Sequence, residues 1–350
     1  MKHSIKIAIL ALSIFTISCS KDEAQVEINY NEQLSNISNN VIVKTYEDLK
    51  DKSALLKQAT LLLETTPNAT NLTSAKNAWI AARSPWEQSE GFLFGPVDQQ
   101  GIDPSIDSWP VNVIDLNNVL ASPNALTETY LANQEGTLKG FHTIEFLLWG
   151  ANGNKQVGDF TAREFEYLKS CSANLATDTN RLYNLWALSG EKFILNLINA
   201  GNGSQVYISQ KSAFVELTNK IIGIADEVAN GKINDPFSQN DVTLEESSFS
   251  ANSKTDFTDN IKSIKNIYLG TYASNGNGKG ISSIVTTKNT TLDSKIKTQI
   301  DEAILAIQSI SGTFTSAVSS QSTSVTTAQN KIRTLQTTLE SELLPLINSL

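Results

Sequence analysis

The stretch Gly140-Phe141-His142-Thr143-Ile144-Glu145-Phe146-Leu147-Leu148-Trp149-Gly150 most constrains what this chain can fold into. Its apolar residues cover a helix nearly all round. Such a helix has no solvent face, so the rest of its domain has to be built around it. His142 and Glu145 stand three apart, which on a helix sets both on one face within reach of one ligand. A buried imidazole and carboxylate need partners, because an unpaired buried polar group costs roughly 1–3 kcal/mol. They either pair with each other and the backbone or hold a ligand. Gly140 lets a neighbouring backbone or ligand come close.

Helical periodicity recurs along most of the chain and strand signals are few, which predicts an all-α fold of antiparallel helices. Val43, Tyr46, Leu49, Leu56, Ala59 and Leu63 recur at helical spacing before Thr66-Pro67-Asn68 breaks the run. A second helix is expected over about 72–92, capped by Thr70 or Asn71, with Ala75, Ala78, Trp79 and Ala82 inward. Between Gly95 and Asn112, three prolines and two glycines predict a structured loop. Long helices are expected over about 161–188, 205–230, 256–272, 291–315 and 322–344. Gly201-Asn202-Gly203 reads as punctuation between an N-terminal bundle, 41–200, and a C-terminal bundle, 201–350. Each half ends a Pro-containing loop and an apolar helix in glycine, Phe146–Gly150 against Ile267–Gly270. That suggests two bundles related by an internal duplication.

Residues 1–18 read as an export signal: Lys2 and Lys6, the apolar run Ile7–Ile17, then Ser18. The run is too short to span a bilayer. Thr16-Ile17-Ser18-Cys19 looks like a lipoprotein box, although Thr16 departs from the usual Leu. Cys19 is then the lipidation site, residues 19–40 the tether, and the N-terminal lipid the only attachment to a membrane. An ordinary cleaved signal with an incidental Cys19 is the alternative. Cys171 reads as a small core residue. The formal net charge of −9 disfavours nucleic acid and anionic lipid as partners. With His3 in the signal, His142 is the one histidine left for chemistry.

Together these features resemble the imelysin family of bacterial cell-envelope proteins. Gly140-Phe141-His142-Thr143-Ile144-Glu145 is similar to that family's G-x-H-x-x-E motif. Trp79, Arg83, Trp86, Glu87 and Glu90, the Gly95–Asn112 loop with Trp109-Pro110-Val111-Asn112, and Asn266–Gly270 also look like family features. The resemblance implies two helical bundles with a site near their junction. It implies an association with iron uptake or iron regulation, and an older association with peptidase activity; with the lipoprotein box at Cys19, the expected location is a Gram-negative cell envelope, lipid-anchored.

A peptidase needs an open zinc site, normally three protein ligands plus water. His-x-x-Glu supplies one histidine and one glutamate, and the usual second histidine is missing. One imidazole with several carboxylates suits iron or another oxygen-preferring cation better than zinc. His142 and Glu145 are therefore the expected metal ligands, with Glu90 and Asp98 next. Arg83, with Glu87 and Trp109, is expected to bind a carboxylate or anion, such as that of a metal chelate. Arg83, Trp86, Glu87 and Glu90 share one helical face, and Asp98, Asp103 and Asp107 lie in the loop. The plainer alternatives are an intrahelical ion pair for Arg83 and Glu90, turn and cap roles for Asp103 and Asp107, and core roles for the tryptophans. Glu245, Glu246 and Asp256 read as residues capping and flanking a helix. The expected function is binding a metal ion or metal-chelate ligand for envelope uptake proteins. A metal-dependent peptidase and a structural or interaction module are the alternatives.

Overall fold

A computed structural model describes residues 29–350; the signal and Cys19 lie outside the described residues. The described chain is all-α, with one isolated bridge, Tyr272–Asn275, and no strand. Its apolar side chains form one contiguous core, from Tyr30 to Ile347 and across Gly201–Gly203.

In the first half, the Val43–Thr65 helix packs along both Ala69–Glu87 and Ala162–Trp186. In the second, Gln210–Asp226, Ser253–Leu269, Thr290–Gln308 and Ser322–Thr338 pack on one another. The two halves meet where Ala69–Glu87 lies against Ser253–Leu269, and there the buried polar residues collect.

The helix before the first loop begins at Ala69, because Asn68 Oδ1 accepts the Asn71 backbone N–H at 2.9 Å. The cap, Asn68, thus falls two or three residues before the expected Thr70 or Asn71. Thr161 and Glu164 form a reciprocal capping box that starts the Ala162–Trp186 helix.

The tether does not extend to residue 40. A helix begins at Asn31 and runs without a break through a π-helical stretch, Ile37–Ile42, into Val43–Thr65. Leu34 and Ile37 are wholly buried. Asn36, in the stretch expected to be tether, donates to the carbonyls of Gly270 at 2.8 Å and Lys279 at 3.2 Å. The asparagine there satisfies a tight loop, which composition alone does not reveal.

The central helix spans Gly140–Trp149, and every residue but Phe146 is buried. Trp79 Nε1 donates to Phe141 O at 2.9 Å and Tyr167 Oη to Leu138 O at 2.6 Å, fixing its first turn. Gly140 has φ +75°, and a Cβ there would stand 2.2 Å from the Ile106 carbonyl oxygen. Only glycine permits that approach, and the approach brings the loop carrying Asp107 over His142.

Candidate metal centre at the junction of the two halves

Four segments of the first half and three of the second converge on one buried polar cluster. The Ala69–Glu87 helix supplies Arg83 and Glu87, and the short turn after it supplies Glu90. The loop supplies Asp107, and the central helix His142 and Glu145. Lys232 enters at the end of the π-helical stretch Glu227–Lys232, and Glu246, Asp256 and Asn260 come from the loop and helix that follow. All are buried.

Arg83 is the hub. Its guanidinium pairs with Glu87 at 2.5 Å, Glu246 at 2.7 Å and Asp107, with Asp256 at 3.6 Å, and lies over the Phe141 ring. Its intrahelical partner is Glu87 at i+4; Glu90 faces Lys232 instead, at 2.8 Å. Burial lowers the Arg83 pKa, but the four surrounding carboxylates raise it well above its ordinary value.

The two imidazole nitrogens of His142 have different surroundings. Nδ1 lies 3.2 Å from Glu145 Oε2, while Glu145 Oε1 accepts both the backbone N–H and the hydroxyl of Ser250 at 2.7 Å. Glu145 therefore orients the ring from behind. Nε2 faces Asp107 Oδ1 at 3.0 Å but outside hydrogen-bond geometry, which leaves it a buried nitrogen with no directed partner. Trp109, half-buried, lies beside the ring at 6.2 Å between centroids. Burial and Arg83 push the imidazole pKa down, but Asp107 and Glu145 outweigh them and raise it to about 9.

Asp107 Oδ2 accepts Trp86 Nε1–H at 2.6 Å. Burial raises its pKa, but Arg83 and then His142 outweigh burial and hold it well below the usual carboxylate range. Glu87 and Glu90 move the other way, raised well above the ordinary value by burial despite their cations. Burial likewise pushes Asp256 up to about 7 against the pull of Arg83.

Glu87, Glu90, Asp107, Glu145, Glu246 and Asp256 outnumber Arg83, Lys232 and His142 by two to one. Such an excess of buried acid is neutralised by protons or by a cation. One ligand atom each from Asp107, His142 and Glu246 lies within 4.8 Å of the others. His142 Nε2 and Glu246 Oε2 are both buried without a hydrogen-bond partner. This mixed nitrogen and oxygen donor set fits a borderline or oxygen-preferring metal, with His142 Nε2, Asp107 and Glu246 holding it and Glu145 behind the imidazole.

Of the residues expected from sequence, the fold brings together Arg83, Glu87, Glu90, His142, Glu145 and Trp109. Asp98 does not join them: it is exposed on the Pro96–Gln99 turn. Asp107, nine residues on, takes the position expected for it, because Gly140 admits the Ile106 backbone and not the earlier turn. Glu145, expected as a metal ligand, lies against His142 Nδ1 and accepts from Ser250. Glu246 and Asp256 are core residues of the cluster, not caps. Lys232 was missed altogether, and its Gly-Lys-Ile-Asn context carries no motif. Asp256 and Asn260, one turn apart on the helical face that continues into Ile264 and Ile267, carried a readable signal.

The fold and this centre define a class: an all-helical protein with one buried histidine set among carboxylates and an arginine. The chain belongs to the imelysin family, whose profile, Imelysin (Peptidase M75), matches residues 42–340. It is 26% identical over 334 residues to iron-regulated protein A of Synechococcus elongatus, covering 94% of this chain and 89% of that protein. A crystal structure from Parabacteroides distasonis, named for an iron-regulated protein A precursor, superposes with a TM-score of 0.82 at 27% identity. It covers 91% of this chain and 94% of that one. An imelysin-like protein from Psychrobacter arcticum shares the fold, with a TM-score of 0.76 at 14% identity, over 92% and 97% of the two chains.

Proposed function

We propose that this chain binds one metal ion, iron first among the candidates, through His142 Nε2, Asp107 and Glu246. The observation that carries this reading is the His142 imidazole. Glu145 holds Nδ1, so Nε2 is buried and turned to Asp107, 3.0 Å away, with Glu246 within 4.8 Å, where a bound metal would displace the proton. A metal-binding histidine typically has its second nitrogen fixed by a carboxylate in this way. The iron-regulated names of two relatives support iron as the metal. Several carboxylates around one imidazole suit it better than zinc.

In this reading the protein is an envelope lipoprotein tethered through Cys19, taking up a metal ion or metal chelate and passing it to uptake proteins. No described helix is long and apolar enough to cross a membrane. A metallopeptidase reading has the family name behind it. It would have to run on one histidine and carboxylates, an unusual ligand set for catalytic zinc. The test is calorimetric titration of residues 20–350 with ferrous, ferric and zinc ions, alongside His142→Ala. Tight binding of one iron, lost in the variant without loss of the fold, is expected. No binding of any ion would overturn the reading.

A further inference from the structure

We infer that the centre contains two adjoining cation positions, and that Lys232 is a cation supplied by the chain itself that fills the second. The inference rests on the metal reading for the first position only. The second position is drawn by Glu87, Glu90, Asp107 and Glu246, one oxygen of each lying within 4.8 Å of the others. Asp107 and Glu246 belong to both groups, as carboxylates bridging two ions would.

A cation is already visible at the second position. Lys232 Nζ lies 2.8 Å from Glu90 Oε2, 2.9 Å from Glu246 Oε1 and 3.4 Å from Glu87 Oε2. Its side chain has no exposure. Asn260 Nδ2 donates to Glu87 Oε2 at 2.6 Å and Glu90 Oε2 at 2.9 Å, aligning the same oxygens. The Trp109 ring stands 5.6 Å from Nζ, within reach of a cation–π contact. Glu246 Oε2, buried and without a partner, remains free beside the ammonium.

Lysine is almost never wholly buried unless it is paired. Here it meets three carboxylates, an amide-aligned cage and an aromatic face, the surroundings of a bound cation. A cation attached to the chain outcompetes a free one because its effective concentration is fixed by the fold. Lys232 thereby restricts the centre to one metal ion. Two-metal hydrolytic chemistry, which uses ions about 3.5–4 Å apart, is closed to the chain as it stands.

The experiment counts manganous ions bound per full chain, by equilibrium dialysis, in the wild type, Lys232→Ala and Lys232→Arg. Manganese is the probe because it accepts carboxylate ligands. One ion is expected in the wild type, two in Lys232→Ala and one in Lys232→Arg. If the wild type binds none, the metal reading fails; a gain from none to one in Lys232→Ala would still uphold the second position. A folded Lys232→Ala that binds no more ions than the wild type would overturn the inference. If Lys232→Ala does not fold, methylammonium or potassium is added. Saturable recovery of the wild-type melting temperature upholds a cation position, and its absence at any concentration overturns it.

Discussion

Glu145 Oε2 and His142 Nδ1 lie 3.2 Å apart, on the side of the imidazole away from Asp107. The two motif residues are thus not equivalent: one offers a nitrogen to the centre and the other aims it. Removing the aim should cost affinity without removing the ligand. Glu145→Gln is expected to weaken iron binding by about 10–100-fold with little change in fold, where His142→Ala abolishes it. Calorimetry on both variants decides this. Equal loss in the two would make Glu145 a direct ligand.

Gly140→Ala attacks the contact that carries Asp107 to His142. The new methyl group meets the Ile106 carbonyl in a backbone region that L-residues avoid. A loss of about 3 kcal/mol is expected by urea unfolding. Metal affinity should fall even where the variant is folded, because the loop must move. An unchanged midpoint would show that the helix tolerates a side chain here.

Arg83→Met leaves Asp107, Glu87 and Glu246 buried without their shared guanidinium. Removing one partner of a buried ion network costs about 3–5 kcal/mol. The loss should be largest near pH 8 and smaller near pH 5, because the deserted carboxylates take up protons as the pH falls. Unfolding curves at both pH values test this; a loss independent of pH would contradict it.

Lys155 Nζ and Glu164 Oε1 lie 2.6 Å apart beside the Thr161 cap. Burial raises the Glu164 pKa, but Lys155 and the Thr161 backbone outweigh it, so the folded value is depressed. A depressed carboxylate stabilises the fold above its unfolded pKa, near 4.5, and loses that contribution as pH falls through the folded value. After allowance for solvent screening, Glu164→Gln should cost about 0.5–1 kcal/mol at pH 7. The difference should close as the pH falls through that folded value. A gap that persists at pH 3 would mean that the glutamine removes packing instead of charge.

The helices were legible because their apolar spacing is local, and the central helix because it is apolar on every side. The centre was only half legible. Arg83, Glu87 and Glu90 share a helix face, and His142 and Glu145 share another, so spacing found them. Asp98 and Asp107 sit in a loop without periodicity, and what distinguishes them is a close approach to Gly140 that depends on tertiary folding. Lys232 and Glu246 come from the other half of the chain, where Lys232 carries no motif and Glu246 looks like a residue flanking a helix. Their burial follows from helices meeting across the junction, which local sequence does not encode. The start at Asn31 was hidden for a related reason: Asn36 is polar in composition but serves loop carbonyls in the core.

The central claim is an ion at His142 Nε2. It is tested most directly by anomalous diffraction at the iron absorption edge, on crystals of residues 20–350 grown with ferrous or ferric iron. The account predicts one peak per chain, about 2.1 Å from His142 Nε2 by analogy with metal–imidazole bonds. Asp107 and Glu246 should be within bonding reach of it, with Lys232 still in place against Glu90. A peak elsewhere, or none at His142 in iron-soaked crystals, would contradict the account.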